Sequence, residues 1–440
     1  MARLLLLGAG HAHLDAIRAI PALVARGHAV TVVGPGPCHC YSGMGPGVLG
    51  GTYPPLAMAL PVRRMVETAG GTFVADTAVR IDAPGHAVHF ASGLRLDYDV
   101  CSCNVGSVVA HPLPGSRGEA DYGPDNSDRP DQSDRSGGPG GDGSCGDPMV
   151  LPVKPIENLY RARQALERLV PRGPVHVVVA GGGPAALEVA CNAAVCLARA
   201  RGRVGAATPE GDSVTLVAGS TLLPRLPERA RALCRAAAAA RGVRIIEGAR
   251  AVRVKRDGLL LDGGRTLAAS VILLATGVAP SPLFAASGLP VGPDGGLAVT
   301  AFLHSIGHPD LFGGGDCIHF TPAPLARVGV HAVRQGPVLA ANLAARLDDH
   351  ARGITGTSRP SGHSGLVPYI PRPGYLLVLD TGAGTGVLHR PIPALPGVRA
   401  LCFSGRLAFL LKRAIDTRFL RVHLPPGGTR PGECPWDATA

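Results

Sequence analysis

Lysine is nearly missing from this chain: it occurs only at positions 154, 255 and 412, so the formal net charge of +11 rests almost wholly on arginine. Aromatic residues are scarce as well, at 4% with a single tryptophan. A nucleic-acid surface needs clustered basic residues interleaved with stacking rings. Here the arginines are scattered, and nucleic-acid binding is not expected. No apolar run approaches the roughly 20 residues that cross a bilayer. The N-terminal leucines break at Gly8, too early for the apolar core of a secretion signal, so a cytoplasmic protein is expected. Eleven cysteines in 440 residues are too sparse for a disulfide framework. None has paired CxxC or histidine spacing, which speaks against zinc or any other metal. Cysteines in a reducing compartment are expected to stay mostly as thiols.

What is present is glycine at particular places and enough apolar residues, 46%, for two or three packed cores. "ARLLLLGAG", a helix from about 11 to 26, and "HAVTVVG" have the order strand, tight turn, helix, strand. Gly8 and Gly10 let the backbone turn sharply and approach a pyrophosphate, whose charge is met by free N–H groups at the helix start. The third motif position carries His13, where a glycine is usual. The pattern recurs in "PVHVVVAGGGPAALEVA", with small residues at all three positions: Gly181, Gly183 and Ala186. Neither following strand ends in the acid that binds an adenosine ribose. After the second, Ser220, Thr221 and Arg225 stand nearby, so NADPH fits at least as well as NADH. Two such turns, each between a strand and a helix, are a stronger signal than one. Glu188 lies one turn into the second helix, where it complements the helix dipole or holds the nicotinamide end.

Residues 115–148 are rich in Gly, Asp, Ser and Pro, cannot bury enough surface to offset ordering entropy, and are expected to be a disordered insertion. Further on, "LLATGVAP" and "LFGGGDC" place Asp316 after a glycine run, where it can accept a hydrogen bond from a polyol hydroxyl. "GYLLVLDTGAGTGVLHR" reads as a hairpin and "GRLAFLLKRAIDTRFLRV" as a helix. On that helix Leu407, Leu410, Leu411 and Ala414 share a face beside Arg406, Lys412, Arg413, Arg418 and Arg421. The pattern suits either a lipid surface or docking on the protein itself.

The order of these signals resembles the pyridine nucleotide-disulfide oxidoreductase superfamily of flavoproteins over nearly the whole chain. "GAGHAHL", "YSGMGPGVLGGTY", "LDYDVCSCNVGS", "LPVKPIENL" and "GVHAVRQGPVLAANL" resemble its type II NADH dehydrogenase-like branch, found alone or fused to selenophosphate synthetase. The resemblance implies an α/β fold of two Rossmann-like dinucleotide-binding domains of the glutathione reductase type. The first, FAD-binding, would be discontinuous (1–114 and 275–352). The second (149–274) would bind NADH or NADPH and be inserted in the first, and 353–440 would form a small α+β cap. It further implies FAD contacts from Gly8, Gly10, His11, His13, Ser42, Gly43, Val79, Gly106, Gly277, Gly315, Asp316, Gly329 and Val330. NAD(P)H contacts would come from Gly181, Gly183 and Ala186, and catalytic roles from Glu188, Lys154 and Tyr41.

The implied activity is NAD(P)H oxidation through the flavin, with a quinone or another small oxidant as acceptor. Peripheral contact with the inner face of the plasma membrane would run through the C-terminal helix. Two other readings are a sulfur- or selenium-linked reductase, the sulfide:quinone type included, and a low-turnover flavin or nucleotide sensor. For the thiol route Cys38 and Cys40 are poorly spaced, since a disulfide across one residue is strained.

Overall fold

A computed structural model describes residues 1–110, 113–115, 147–203, 211–354, 365–392 and 400–436. The segment expected to be disordered lies almost entirely outside them. The chain starts with β1 (Arg3–Leu7), α1 (Leu14–Arg18), α2 (Ile20–Ala25) and β2 (Ala29–Gly34), then β3 (Thr72–Ala75), β4 (Val100–Cys103) and β5 (Ser107–Val109). The expected single helix over 11–26 is a 3-10 turn at His11–His13 followed by α1 and α2. Pro21 has no N–H to continue the ladder, which accounts for the break.

A second run follows: β6 (Met149–Pro152), α3 (Asn158–Leu169), β7 (His176–Ala180), α4 (Pro184–Arg203), β8 (Ser213–Val217), α5 (Glu228–Ala239), β9 (Val243–Ile246) and β10 (Val271–Leu274). β11 (Val278–Pro280) and β12 (His308–Gly313) lead to α6 (Gly329–Ala351). The chain closes with β13 (Leu377–Asp380), β14 (Gly386–Pro391), β15 (Ala400–Gly405) and α7 (Arg406–His423).

Two parallel sheets carry the architecture. One contains the order β3-β2-β1-β4-β12, extended at one edge by three short strands between 297 and 320; the other runs β9-β8-β7-β10-β6. Near-continuous apolar runs such as "LLLL" and "VVVA" suit strands covered on both faces, and β1 and β7 are buried almost throughout. In each sheet the strand before the glycine turn is central, flanked by the strand that follows the helix and by one from later in the chain. That is the switch point where open α/β sheets bind ligands. An antiparallel pair, β5 with β11, links the two halves. β13, β14 and β15 form a three-stranded antiparallel sheet against which α7 packs.

The C-terminal tail runs back over the loop that follows β2. There the Arg64 guanidinium meets the Gly428 carbonyl and Glu433, Thr429 Oγ1 donates to Ala59 O at 2.6 Å, and Trp436 stands 6.0 Å from the Tyr160 ring. Cys434 is disulfide-bonded to Cys38. The expectation of thiols holds for the other eight described cysteines, which are free and buried. Cys38 departs from it: its partner lies 396 residues away, a separation that local spacing says nothing about.

Candidate functional site

The first glycine turn is built around a side chain from the neighbouring strand. Gly8 has φ +81°, where a side chain is strained, and a Cβ there would strike the Asn104 carbonyl; one on Gly10 would strike the Asn104 amide. Asn104 Oδ1 accepts from the Ala12 N–H at 3.1 Å, and Nδ2 donates to Gly314 O at 2.6 Å. Asn104 therefore fastens the turn to the glycine run before Asp316. Gln335, from α6, receives the Gly315 N–H at 2.7 Å.

His13 occupies the third motif position without crowding it, because its ring is fully buried between the turn and β4. Nδ1 lies 2.6 Å from Gly8 O and Nε2 lies 2.8 Å from Ser102 Oγ. A carbonyl can only accept, so Nδ1 carries the proton and Ser102 donates to Nε2. Burial pushes the pKa down to about 4, with the Gly8 bond opposing it. The ring is thus a neutral strut in the place of a glycine.

At the GGD turn, Asp316 is paired with Lys154 at 3.0 Å, and Ser107 donates to the same carboxylate oxygen at 3.0 Å. Lys154 Nζ also donates to Ser107 Oγ at 2.7 Å. Gly106 and Gly277, both at positive φ, flank the β5–β11 crossing beside this triad. Arg327 Nε donates to Asp316 O at 3.1 Å, just ahead of α6. Gly329 and Val330 are the first residues of that helix. Nothing lies within 4 Å of where a Cβ on Gly329 would stand, so the helix N-terminus is open.

At the second turn, Gly181 has φ +147° and a Cβ there would strike the Ala275 carbonyl. Gly183 is open to its surroundings, and Ala186 is buried against the sheet. Glu188 Oε1 accepts the Asp380 N–H at 2.8 Å. Its pKa is raised to about 7, chiefly by burial, with the Lys412 charge opposing.

Between the two turns lies a charged cluster inside the protein. Lys412 and Asp416, on the inner face of α7, pair at 2.8 Å while only 7% and 3% exposed. Lys412 also donates to Gly43 O, and Tyr41 Oη donates to the other Asp416 oxygen at 3.0 Å. Asp380 is buried nearby with Oδ2 unpartnered, its carboxyl raised by burial. Carboxylates outnumber the one ammonium, and burial pushes the Lys412 pKa down while Asp416 and Glu188 more than restore it. The Tyr41 ring stacks on Phe419 at 4.6 Å, and His11 lies 5.3 Å from Tyr41 and 5.3 Å from His39. Ser42 opens the short turn that carries Gly43. Val79 stands apart, half-exposed on the strand Ala78–Asp82 of a small antiparallel sheet.

The sequence pattern brought most of these residues to notice but assigned no role to Asn104, Ser107, Gln335, Asp380 or Asp416, and set Lys412 among the basic residues flanking the apolar face of α7, where the structure buries it instead. One signal was available. Of three lysines, Lys154 and Lys412 are both at the site, and only Lys255 lies on an exposed strand. A cation kept as lysine in a chain that otherwise uses arginine invites attention.

The residues present fit a bound dinucleotide at each turn: no room for a Cβ against neighbouring backbone at Gly8 and Gly181 or against the Asn104 side chain at Gly10 and Gly315, open space beside Gly329 at the start of α6, and an acid, Asp316, beside the first. In sequence, 173 residues are 26% identical to an internal alternative NAD(P)H-ubiquinone oxidoreductase A1, mitochondrial, of Solanum tuberosum, covering 38% of this chain and about a third, 34%, of that protein. In structure, the chain is similar to NDH2 from Plasmodium falciparum in complex with NADH (TM-score 0.72, 13% identity, covering 96% of this chain and 95% of that one). It is also similar to the sulfide:quinone oxidoreductase of Aquifex aeolicus (TM-score 0.69, 15% identity, covering 96% and 91%). The model of the family described as pyridine nucleotide-disulphide oxidoreductase matches residues 2–336. With both nucleotide turns inside that span, the chain belongs to this family.

Proposed function

We propose that the protein binds FAD at the first turn and NAD(P)H at the second, oxidises the nicotinamide, and passes the electrons to a small acceptor of the quinone type. The observation that carries this reading is the convergence of Glu188 from the second turn, Tyr41 and Gly43 from the loop after β2, and Lys412 and Asp416 from α7 into one buried cluster. When bound, FAD supplies the two-electron chemistry. This chain's residues position the groups and manage protons.

His13 and Asn104 fix the turn, and Asp316, Ser107 and Lys154 present a paired acid and ammonium beside it. Glu188, raised to about 7, divides between its protonated and ionised forms at neutral pH and so is poised to exchange the proton that a reduced quinone requires, and Lys412 keeps the cluster's charge in balance. A thiol relay has less support, because the free described thiols are buried, and Cys40 and Cys317 are pushed up by burial, away from the thiolate.

The outward face of α7 supports contact with a lipid surface at the acceptor end. Among the described residues no helix is long and apolar enough to cross a membrane, yet Leu407, Leu410, Leu411 and Ile415 are 69%, 54%, 39% and 42% exposed. Exposed Arg406, Arg413, Arg418 and Arg421 share the helix. An inner-face membrane location follows from that reading.

The test is the visible spectrum of the purified protein, followed anaerobically. A flavin spectrum that bleaches on adding NADH or NADPH and returns with a soluble quinone is expected. A protein that cannot be reconstituted with FAD defeats the proposal, and a flavin that stays oxidised with both nucleotides favours a sensor.

A further inference from the structure

We infer that the second nucleotide site discriminates in favour of NADPH, with the Arg225 guanidinium and the Ser220 hydroxyl meeting its 2′-phosphate. The inference rests on the reading of that site as an NAD(P)H site. It starts from how the loop after β8 is seated.

A Cβ on Gly182 would strike the Ala218 carbonyl and lie 3.0 Å from that of Thr221, and the Leu223 N–H donates to Gly182 O at 2.7 Å. The loop 218–223 is therefore laid against the glycine turn itself. The end of the strand after the first helix is where a dinucleotide's adenosine ribose is read: an acid there bonds the 2′-hydroxyl, and an arginine accommodates a 2′-phosphate. Here that end is Ala218, followed by Gly219 at φ +66° and then Ser220. Ser220 is exposed. Arg225 is exposed two residues beyond Leu223 and pairs with no carboxylate among the described residues.

One acid does come close, and its bonds decide the sign. Glu247, just past β9, places Oε1 against Thr221 Oγ1 at 2.8 Å and the Leu222 N–H at 2.6 Å, and Arg235 pairs with it at 3.1 Å. Arg235 also pairs with Glu228 at 3.0 Å. Glu247 is thus committed to holding the loop from behind, with its charge compensated. The Leu222 N–H and these partners keep its pKa low, so it stays an anion bound to them across neutral pH. What the loop leaves exposed is a hydroxyl and a guanidinium that no described carboxylate pairs with. That pair suits a phosphate dianion, for which arginine is the matched donor, and supplies no carboxylate to a ribose diol.

The experiment is calorimetric titration of the oxidised protein with NADP+ and NAD+, which reads binding without turnover. NADP+ is expected to bind at least about tenfold tighter, the scale of one charge-assisted hydrogen bond, and to weaken more steeply with added salt. Arg225→Ala should bring the two affinities together by weakening NADP+ while leaving NAD+ unchanged, and Arg225→Lys should restore part of the difference. Ser220→Asp, on an exposed position, should reverse the preference. Equal or tighter NAD+ binding by the unaltered protein, or an Arg225→Ala variant that weakens both nucleotides alike, would overturn the inference while leaving the site reading in place. Failure to bind either nucleotide would overturn both.

Discussion

A histidine in a glycine's place shows how one residue can be read wrongly by rule and rightly by its bonds. His13 is a base whose folded pKa, about 4, lies below the ordinary 6.5. The unfolded chain therefore binds a proton that the folded one refuses between those values, and stability must rise with pH across that window. The contribution is fully present above about pH 6.5 and is lost as the pH falls towards 4, to about 3 kcal/mol at ~1.4 kcal/mol per unit. His39, also held near 4 by burial, adds in the same direction. Urea midpoints measured at pH 7.5, 6 and 5 should fall steadily, and His13→Gln should flatten the slope; a midpoint indifferent to pH would mean the ring is charged or exposed. The sequence showed that position 13 was irregular and that Gly8 and Gly10 were needed. It could not show Asn104 as the peg, because that depends on β4 lying beside β1, with paired residues 96 apart in the chain.

At the scale of elements, periodicity placed α7 within a residue of its bounds and found the β13–β14 hairpin, since both depend on local spacing. Orientation was another matter. Lys412 and Asp416, four apart, look like an ordinary solvated pair on a helix, with Lys412 counted among the basic residues beside the leucines, whose face suited lipid or the protein itself alike. The structure corrects the placement of Lys412: the ion pair is inside, beside Tyr41 and Gly43, and four apolar side chains face outward. Only the charge of the surrounding carboxylates, contributed by α4 and β13, makes a buried lysine tolerable there. An outward apolar stripe with arginines beside it should bind vesicles containing anionic lipid. Co-sedimentation is expected for the unaltered protein, with a loss of several-fold or more on Leu407→Glu with Leu411→Glu, and less binding to neutral vesicles. Retention by the double variant would assign the stripe to a protein neighbour.

For the whole molecule, two parallel sheets meet through the β5–β11 crossing; the repeated strand, turn and helix made the two units visible in the sequence, though not the crossing that joins them. The tie between Cys38 and Cys434 was not visible either, because no local pattern relates the loop after β2 to the C-terminal tail. A disulfide closing so long a loop restricts the unfolded chain strongly. Its removal is expected to cost about 2–5 kcal/mol, lowering the thermal midpoint in reductant and in Cys434→Ser alike, whereas Cys40→Ser should leave it in place. An unchanged midpoint in reductant would mean the tail's other contacts suffice.

The same bond changes what kind of polymer the protein is. Oxidised, 397 of the 440 residues, Cys38 to Cys434, form a covalent ring. A single backbone cut anywhere inside the ring yields two peptides that remain one molecule. On a denaturing gel such nicked protein would run as a whole chain until a reductant is added, and the uncut oxidised form, being more compact when unfolded, would migrate ahead of its reduced counterpart.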